Sequence, residues 1–372
     1  MTIDLFAPYR LGRLELRNRF VRSATWDGTA DSSGAVTDTS VALYRELSQG
    51  GVGLIVTGYA FVSPLGQATP GQYGAHNDDM IPGLRRLVEA AQGGGAKVAL
   101  QIVHAGVLSG YLSHRGITLQ AVSNTDRISA AHREMTDEEI ENLLFDYASA
   151  AVRAREAGFD AVEFHGAHGY GMNQFLSPLF NLRTDRWGCT AENRRRFHIE
   201  AIRRVRQAVG ADFPLMIKFG VQDDTEGGLS LSEGLETARQ MVGEGIDAIE
   251  VSGGVGRPTQ ATREGDPERA YYRERAAALK RVVTVPVMVV GGIRSLEMAK
   301  SIVESGDADL ISMSRPFIRE ADLVARWQRG ETEPAKCISC LKCYAILARG
   351  EPLECGEERR LREESVDSHF IA

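Results

Sequence analysis

Eight short apolar, β-branched runs, each followed by a stretch with helical spacing, constrain this chain more than any other feature. The runs are Phe20–Ala24, Gly53–Tyr59, Lys97–Val103, Ala161–His165, Leu215–Phe219, Ala248–Ser252, Val287–Val290 and Leu310–Met313. Continuous apolar strands need cover on both faces, and strands alternating with helices build a parallel sheet. The helical stretches space apolar residues at i, i+3 and i+4, as in Ile140, Leu143, Leu144, Tyr147, Ala148 and Ala151. Thr136 with Glu139 makes a capping box, Thr190 precedes Ala191-Glu192-Asn193, and Ser232 precedes Glu233. Eight such units predict an α/β fold closed into a (β/α)8 TIM barrel rather than an open doubly wound sheet. No Gly-x-Gly-x-x-Gly joins an early strand to its helix, which points the same way. Residues Tyr9 to Asn18 read as an N-terminal hairpin plugging the barrel bottom. The longest loop, Ala105 to Met135, reads as a lid or excursion over the mouth. The expected division is a barrel over 1–330 and a cysteine-bearing tail over 331–372.

In such a barrel the C-terminal strand ends share one face, the usual address of chemistry. That face collects Ser23-Ala24-Thr25-Trp26, Thr57-Gly58, Gln101, His165/His168/Tyr170, Lys218, Ser252-Gly253-Gly254, Gly291-Gly292 and Ser314-Arg315. Two imidazoles and a phenol within six residues supply hydrogen-bond donors and a proton source together. Glycines at the seventh strand end and Ser314-Arg315 at the eighth suit a phosphate, with bare backbone and a fork of donors. Lys218, ending an apolar strand, must face an anion, either a ligand or a carboxylate such as Glu163 or Glu250. Gln101 offers an amide suited to the edge of a heterocycle. Together these residues imply a phosphate-bearing heteroaromatic cofactor without saying which.

Motifs in order along the chain supply that answer by resemblance. Asn18-Arg-Phe-Val-Arg-Ser-Ala-Thr25, Gly51-Val-Gly-Leu-Ile-Val-Thr-Gly58, Gln101-Ile-Val-His-Ala-Gly106, His165-Gly-Ala-His-Gly-Tyr170, Asn193-Arg-Arg-Arg-Phe197, Gly291-Gly292 and Ser314-Arg315 resemble the Old Yellow Enzyme family of FMN-dependent oxidoreductases. The likeness runs over residues 3–345. It implies that Ser23, Ala24, Thr25, Gly58 and Gln101 line the flavin, Lys218 sits beside its N1/O2 edge, and Gly291, Gly292, Ser314 and Arg315 hold the phosphate. His165 and His168 would grip a substrate oxygen, Tyr170 would donate a proton, and Trp26 would wall the substrate pocket. The implied reaction carries hydride from NAD(P)H through FMN to an α,β-unsaturated carbonyl compound. Three departures stand out: Trp26 where many members have Cys or Thr, Lys218 where Arg is common, and Cys189 in place of glycine.

Cys337, Cys340, Cys343 and Cys355 have thiolate spacing able to hold a [4Fe–4S] cluster. They resemble the cluster loop of the dienoyl-CoA reductase and trimethylamine dehydrogenase branch. Tetrahedral zinc and a metal-free remnant are the other readings. With a cluster, the chain would be an amine dehydrogenase or dienoyl reductase serving a separate electron-transfer protein, since the sequence stops at Ala372. From another class, a non-redox aldolase or isomerase would use Lys218 as a Schiff-base amine.

A net charge of −7 argues against a nucleic-acid partner. No apolar stretch approaches the roughly 18 residues that span a bilayer, and the N-terminus lacks a signal peptide's pattern. The expectation is a cytoplasmic protein acting on a small molecule, with no membrane partner, and the family resemblance implies a homo-oligomer. His76, His104, His114, His132, His198 and His369 read mostly as surface or loop groups, and Glu357 to Glu364 as a solvated charged segment.

Overall fold

The computed structural model describes residues 3–256 and 270–369. Eight parallel strands form a closed ring: β1 (Phe20–Arg22), β2 (Leu54–Val56), β3 (Lys97–Val103), β4 (Ala161–Gly166), β5 (Leu215–Gly220), β6 (Ala248–Ser252), β7 (Val287–Val289) and β8 (Leu310–Met313). Each pairs with the next, and β8 closes onto β1 through Ile311 opposite Phe20. Helices α1 (Asp38–Gln49), α2 (Ile81–Gln92), α3 (Asp137–Ala157), α4 (Ala191–Val209), α5 (Leu231–Gly243), α6 (Arg273–Lys280), α7 (Leu296–Glu304) and α8 (Leu323–Gln328) follow the strands in turn. The eight units read from periodicity are therefore present as a (β/α)8 barrel. Thr136 and Glu139 form the reciprocal cap of α3, and Thr190 caps α4. The cap of α5 is Ser230 rather than Ser232, its hydroxyl accepting from the Glu233 amide.

Strand pleat explains how this barrel changes character along its axis, because alternate residues point inward. The inward sets climb from Ala161 to Glu163 to His165, from Met216 to Lys218, and from Ala248 to Glu250 to Ser252. Ala99 leads likewise to Gln101, Val21 to Ser23, and Leu310 to Ser312. The lower storey is apolar and continuous with Leu11, Leu14 and Leu16 of the hairpin formed by Tyr9–Leu11 and Leu14–Leu16. Burying each leucine is worth about 1.5–3 kcal/mol, enough to make this plug a working part of the core. Above it the lumen turns polar, still fully buried.

Of the two readings of residues 105–135, lid or excursion, the structure has the excursion, built on a strand pair of its own. Leu119–Ala121 pairs with His132–Glu134, and Arg183 ties the pair down through the carbonyls of Val122 and Met135. Ala121 also packs with Val107, Leu179 and Phe180. The tail carries two helices, α9 (Lys342–Ala348) and α10 (Gly356–His369). The charged run read as solvated lies on α10, where Arg360 pairs with Glu357 and Glu364 while Lys342 of α9 also reaches Glu357.

Two histidines expected at the surface are buried. His198 lies on the barrel side of α4, edge-on to Phe219, with neither ring nitrogen partnered. Its pKa is pushed down by burial to about 3, and that of His104 to about 4. Below pH 6.5 the unfolded chain binds protons that these folded imidazoles refuse, so stability falls as pH drops from 6.5 towards those values. Each contributes a slope approaching ~1.4 kcal/mol per pH unit. Urea unfolding across this window should show a shallower slope for His198→Leu and a higher midpoint at pH 5 than for the parent. Equal slopes would contradict the account.

Candidate active site

The polar storey beneath the mouth is one connected network. Lys218 lies opposite Glu250 in the β5–β6 register, with Nζ 2.7 Å from Glu250 Oε2. The same ammonium donates to Ser23 Oγ at 2.6 Å, and Ser312 donates to Glu250 Oε1 at 2.5 Å. Gln101 donates through Nε2 to Glu163 Oε2 at 2.6 Å, across the β3–β4 register. Both carboxyls are fully buried. Burial and the neighbouring Glu250 raise Glu163 well above the carboxylate range, so it is neutral. Burial would raise Glu250 too, but Lys218 overcomes it and holds Glu250 below its usual value as a carboxylate. With both groups ionised, Glu163 Oε1 lacks a hydrogen-bond partner and Glu250 Oε2 meets the Lys218 ammonium but no well-aligned hydrogen-bond donor. A proton on Glu163, directed to Glu250, satisfies both, and two like charges so close favour that sharing. The anion demanded by Lys218 is thus supplied within the barrel.

Above this storey the end of β4 opens into the loop carrying His168 and Tyr170. His168 adopts a left-handed backbone, φ 59°, which turns its ring back towards the barrel axis, where Nε2 meets Ser252 Oγ at 2.7 Å. The His165 ring lies 5.2 Å from that of His168 and 5.0 Å from that of Tyr170, edge-on to both. His165 is buried with Nδ1 unpartnered. Burial, then the His168 and Lys218 charges, hold its pKa well below the usual imidazole value, so it is neutral at pH 7. Tyr59 completes the group, its ring 5.8 Å from Tyr170 and 6.2 Å from His165. Burial raises both phenols, and the Tyr344 phenol adds to each. Both therefore keep their protons at neutral pH.

The loop after β1 supplies the opposite wall. Gly58 donates its amide to Tyr44 Oη at 2.7 Å, and a Cβ there would lie 3.0 Å from both Asp27 Oδ2 and the Thr25 carbonyl. Glycine is required by that close approach. Thr25 Oγ1 and Ser314 Oγ are 2.6 Å apart, joining the ends of β1 and β8, and Ala24 packs on the interior cluster. Trp26 donates to the Pro70 carbonyl and meets Tyr344 edge-on at 6.3 Å. After β7, Gly291 and Gly292 both have positive φ, 106° and 79°, and a Cβ on Gly291 would strike the Tyr271 and Tyr272 rings.

Arg315 opens the short helix Arg315–Arg319, and its side chain lines a pocket together with Cys337, Cys340, Cys343 and Cys355. This small, solvent-open space has Ile318, Ile338 and Leu341 as apolar walls. Ser339 and Leu341 take left-handed backbone, φ 57° and 61°, curling the loop around it. Burial raises the Cys337 and Cys343 thiols, and Arg315 pulls both back. Among the described residues no three ligating side chains are grouped tightly enough for a single ion. The thiols surround a space rather than a point. Cys189, by contrast, is exposed with φ 70°, as expected of a side chain standing where glycine is usual.

Of the strand-end residues singled out from sequence, the structure brings His165, His168, Tyr170 and Ser252 together, links Lys218 to Ser23 and Thr25 to Ser314, and sets Arg315 against the thiol pocket. Tyr59 and Tyr344 were not singled out: Tyr59 reads as the last residue of an apolar run, and Tyr344 lies far off in sequence. The position of Tyr59 directly after Gly58 was the available signal.

Residues 4–333 match the NADH:flavin oxidoreductase / NADH oxidase family. The chain is 36% identical over 349 residues to an NADH oxidase of Thermoanaerobacter brockii, covering 91% of this chain and 52% of that protein. It is 33% identical over 324 residues to an NADPH dehydrogenase of Bacillus subtilis strain 168, covering 86% and 93%. Among solved structures, a 2-naphthoyl-CoA reductase complex superposes with TM-score 0.87 at 28% identity, covering 95% of this chain and 57% of that one. The chain spans about half the length of the first and third of these relatives.

The charge assignment in the lumen yields a clear contrast between two isosteric changes. Glu163→Gln reproduces the neutral acid, amide for hydroxyl, and should alter stability by less than about 1 kcal/mol. Glu250→Gln strands the Lys218 charge and should cost roughly 3–5 kcal/mol. Urea unfolding at pH 7 measures both, and equal costs would contradict the assignment.

Proposed function

Because the chain belongs to the NADH:flavin oxidoreductase / NADH oxidase family, we propose that it is an FMN-dependent ene reductase. In this reading NAD(P)H is the reductant and an α,β-unsaturated carbonyl compound the acceptor. The observation that carries it is the group His165, His168, Tyr170 and Tyr59 set directly over the buried Lys218–Glu250 and Gln101–Glu163 pairs. The mouth fits a phosphorylated flavin in its donor set. It has a buried cation, a fixed amide, an unpartnered His165 nitrogen and a bare Gly291-Gly292 backbone. Arg315 opens the short helix after β8 and offers a fork of donors suited to an anion.

Ser23, Ala24, Thr25, Gly58, Gln101 and Lys218 would hold the ring, and Gly291, Gly292, Ser314 and Arg315 the phosphate. FMN, when bound, supplies the group that accepts and returns hydride. Lys218, ion-paired with Glu250, would put an ammonium where negative charge gathers on reduction. His165 and His168 hold the substrate oxygen with two donors and stabilise the charge it gains. Tyr170, protonated at neutral pH and packed against the Tyr59 ring, gives its proton to the substrate carbon next to the carbonyl. The lysine's two tight partners argue against the aldolase reading, which needs a free amine. Free cysteines throughout suit the reducing cytoplasm, and no described helix is long and apolar enough to cross a membrane.

A second reading rests on the thiol pocket. Four cysteines around one space suit a polynuclear [4Fe–4S] cluster better than a zinc ion, which draws its ligands to about 2.3 Å. With it, the protein would exchange electrons with a separate carrier.

Purified protein should be yellow and release FMN. Stopped-flow measurement should show Tyr170→Phe slowing oxidation by an enone by ~10²-fold or more, with flavin reduction by NAD(P)H little changed. Equal slowing of both halves would remove Tyr170 from this role. Anaerobically prepared protein should contain about four iron and four sulfide per chain; iron-free protein would end the cluster reading.

A further inference from the structure

Tyr344 is a large aromatic side chain left 63% exposed on a helix whose two large aliphatic residues, Ile346 and Leu347, are buried. It stands one residue after Cys343, on the tail rather than the barrel. The tail nevertheless reaches the mouth: the Leu353 amide donates to the Asp27 carbonyl at 2.9 Å. A Cβ added to Gly28 would lie 2.8 Å from Leu347 Cδ2. Tyr344 and Leu347 are i and i+3 on α9, so they share a face. That face lies on the loop after β1, Leu347 against Gly28 and the Tyr344 ring edge-on to Trp26 at 6.3 Å. The left-handed backbone of Leu341, at the start of α9, sets the helix in this direction. Trp26 donates to the Pro70 carbonyl and Tyr59 Oη lies 3.2 Å from Oγ1 of the preceding Thr69, so one short segment ties the Trp26–Tyr344 pair to the Tyr59–Tyr170 pair.

We propose that Tyr344 is a specificity-determining residue: with Trp26, Tyr59 and Tyr170 it makes an aromatic box that selects flat, aryl-bearing substrates over saturated ones of equal bulk. This inference rests on the reading of the mouth as the substrate site above a flavin. It explains why an aromatic ring stays exposed beside Trp26. Flat rings gain edge and face contacts with such a box that a puckered ring of the same volume does not.

The test uses the full-length holoprotein and two para-substituted phenols, 4-phenylphenol and 4-cyclohexylphenol, titrated against the visible spectrum of the bound flavin. The parent should bind the phenyl compound more tightly. In Tyr344→Ala the ratio of the two dissociation constants should fall roughly three- to tenfold, the equivalent of one aromatic pair. Tyr344→Phe should retain the parental ratio, because the ring and not the hydroxyl is responsible. An unchanged ratio in Tyr344→Ala, with binding still abolished by His165→Ala, would overturn the proposal while leaving the flavin site standing. A protein that binds no flavin, or whose flavin spectrum no phenol perturbs, would overturn the underlying reading and this inference with it.

Discussion

The buried pair Lys218–Glu250 is the interaction on which the site depends. An ammonium and a carboxylate taken out of water cost several kcal/mol each, and only close contact with further hydrogen bonds offsets that cost. Ser23 and Ser312 provide those bonds, one to each partner. Glu163 then joins the layer as a neutral acid, because a second buried carboxylate would meet Glu250 with no cation of its own. The layer is thereby one cation, one anion and one shared proton. Its net charge is near zero, yet its positive end is Lys218, whose ammonium is tied to Ser23 on the rim-forming segment after β1.

This layer separates two storeys with different physics. Below it, hairpin leucines and the lower strand residues form dry packing that fixes the ring of strands. Above it, neutral imidazole and protonated phenols present donors to whatever enters the mouth. Preorganised donors of this kind stabilise developing negative charge without reorganising during reaction. The tail adds a third component, since α9 brings both a thiol and an aromatic ring to the loop after β1. Arg315, at the start of the helix after β8, lines the thiol pocket, and its charge acts on Cys337 and Cys343.

Much of this architecture was legible in the chain. Apolar runs fix strands because a parallel barrel buries both strand faces, and each of the eight appears within a few residues of its expected bounds. The rim residues followed, since a strand's C-terminal end locates its side chains on one face. The partner of Lys218 was narrowed to Glu163 or Glu250, but periodicity gives the face and not the register that sets Lys218 opposite Glu250. His198 was misjudged because a histidine on an amphipathic helix gives no sign of which side it takes. Tyr344 escaped notice for a different reason. Its place depends on a contact between segments more than 300 residues apart, which no local pattern records. Residues 257–269, in the connection after β6, lie outside the described part.

The account stands or falls on whether the Lys218 ammonium acts on the bound ring. A potentiometric titration of the flavin in the parent and in Lys218→Met asks this directly. Loss of the cation should make the two-electron potential more negative by on the order of 30 mV or more, equivalent to ~1.4 kcal/mol. A variant that binds flavin at the parental potential would show that the buried charge layer serves the barrel alone.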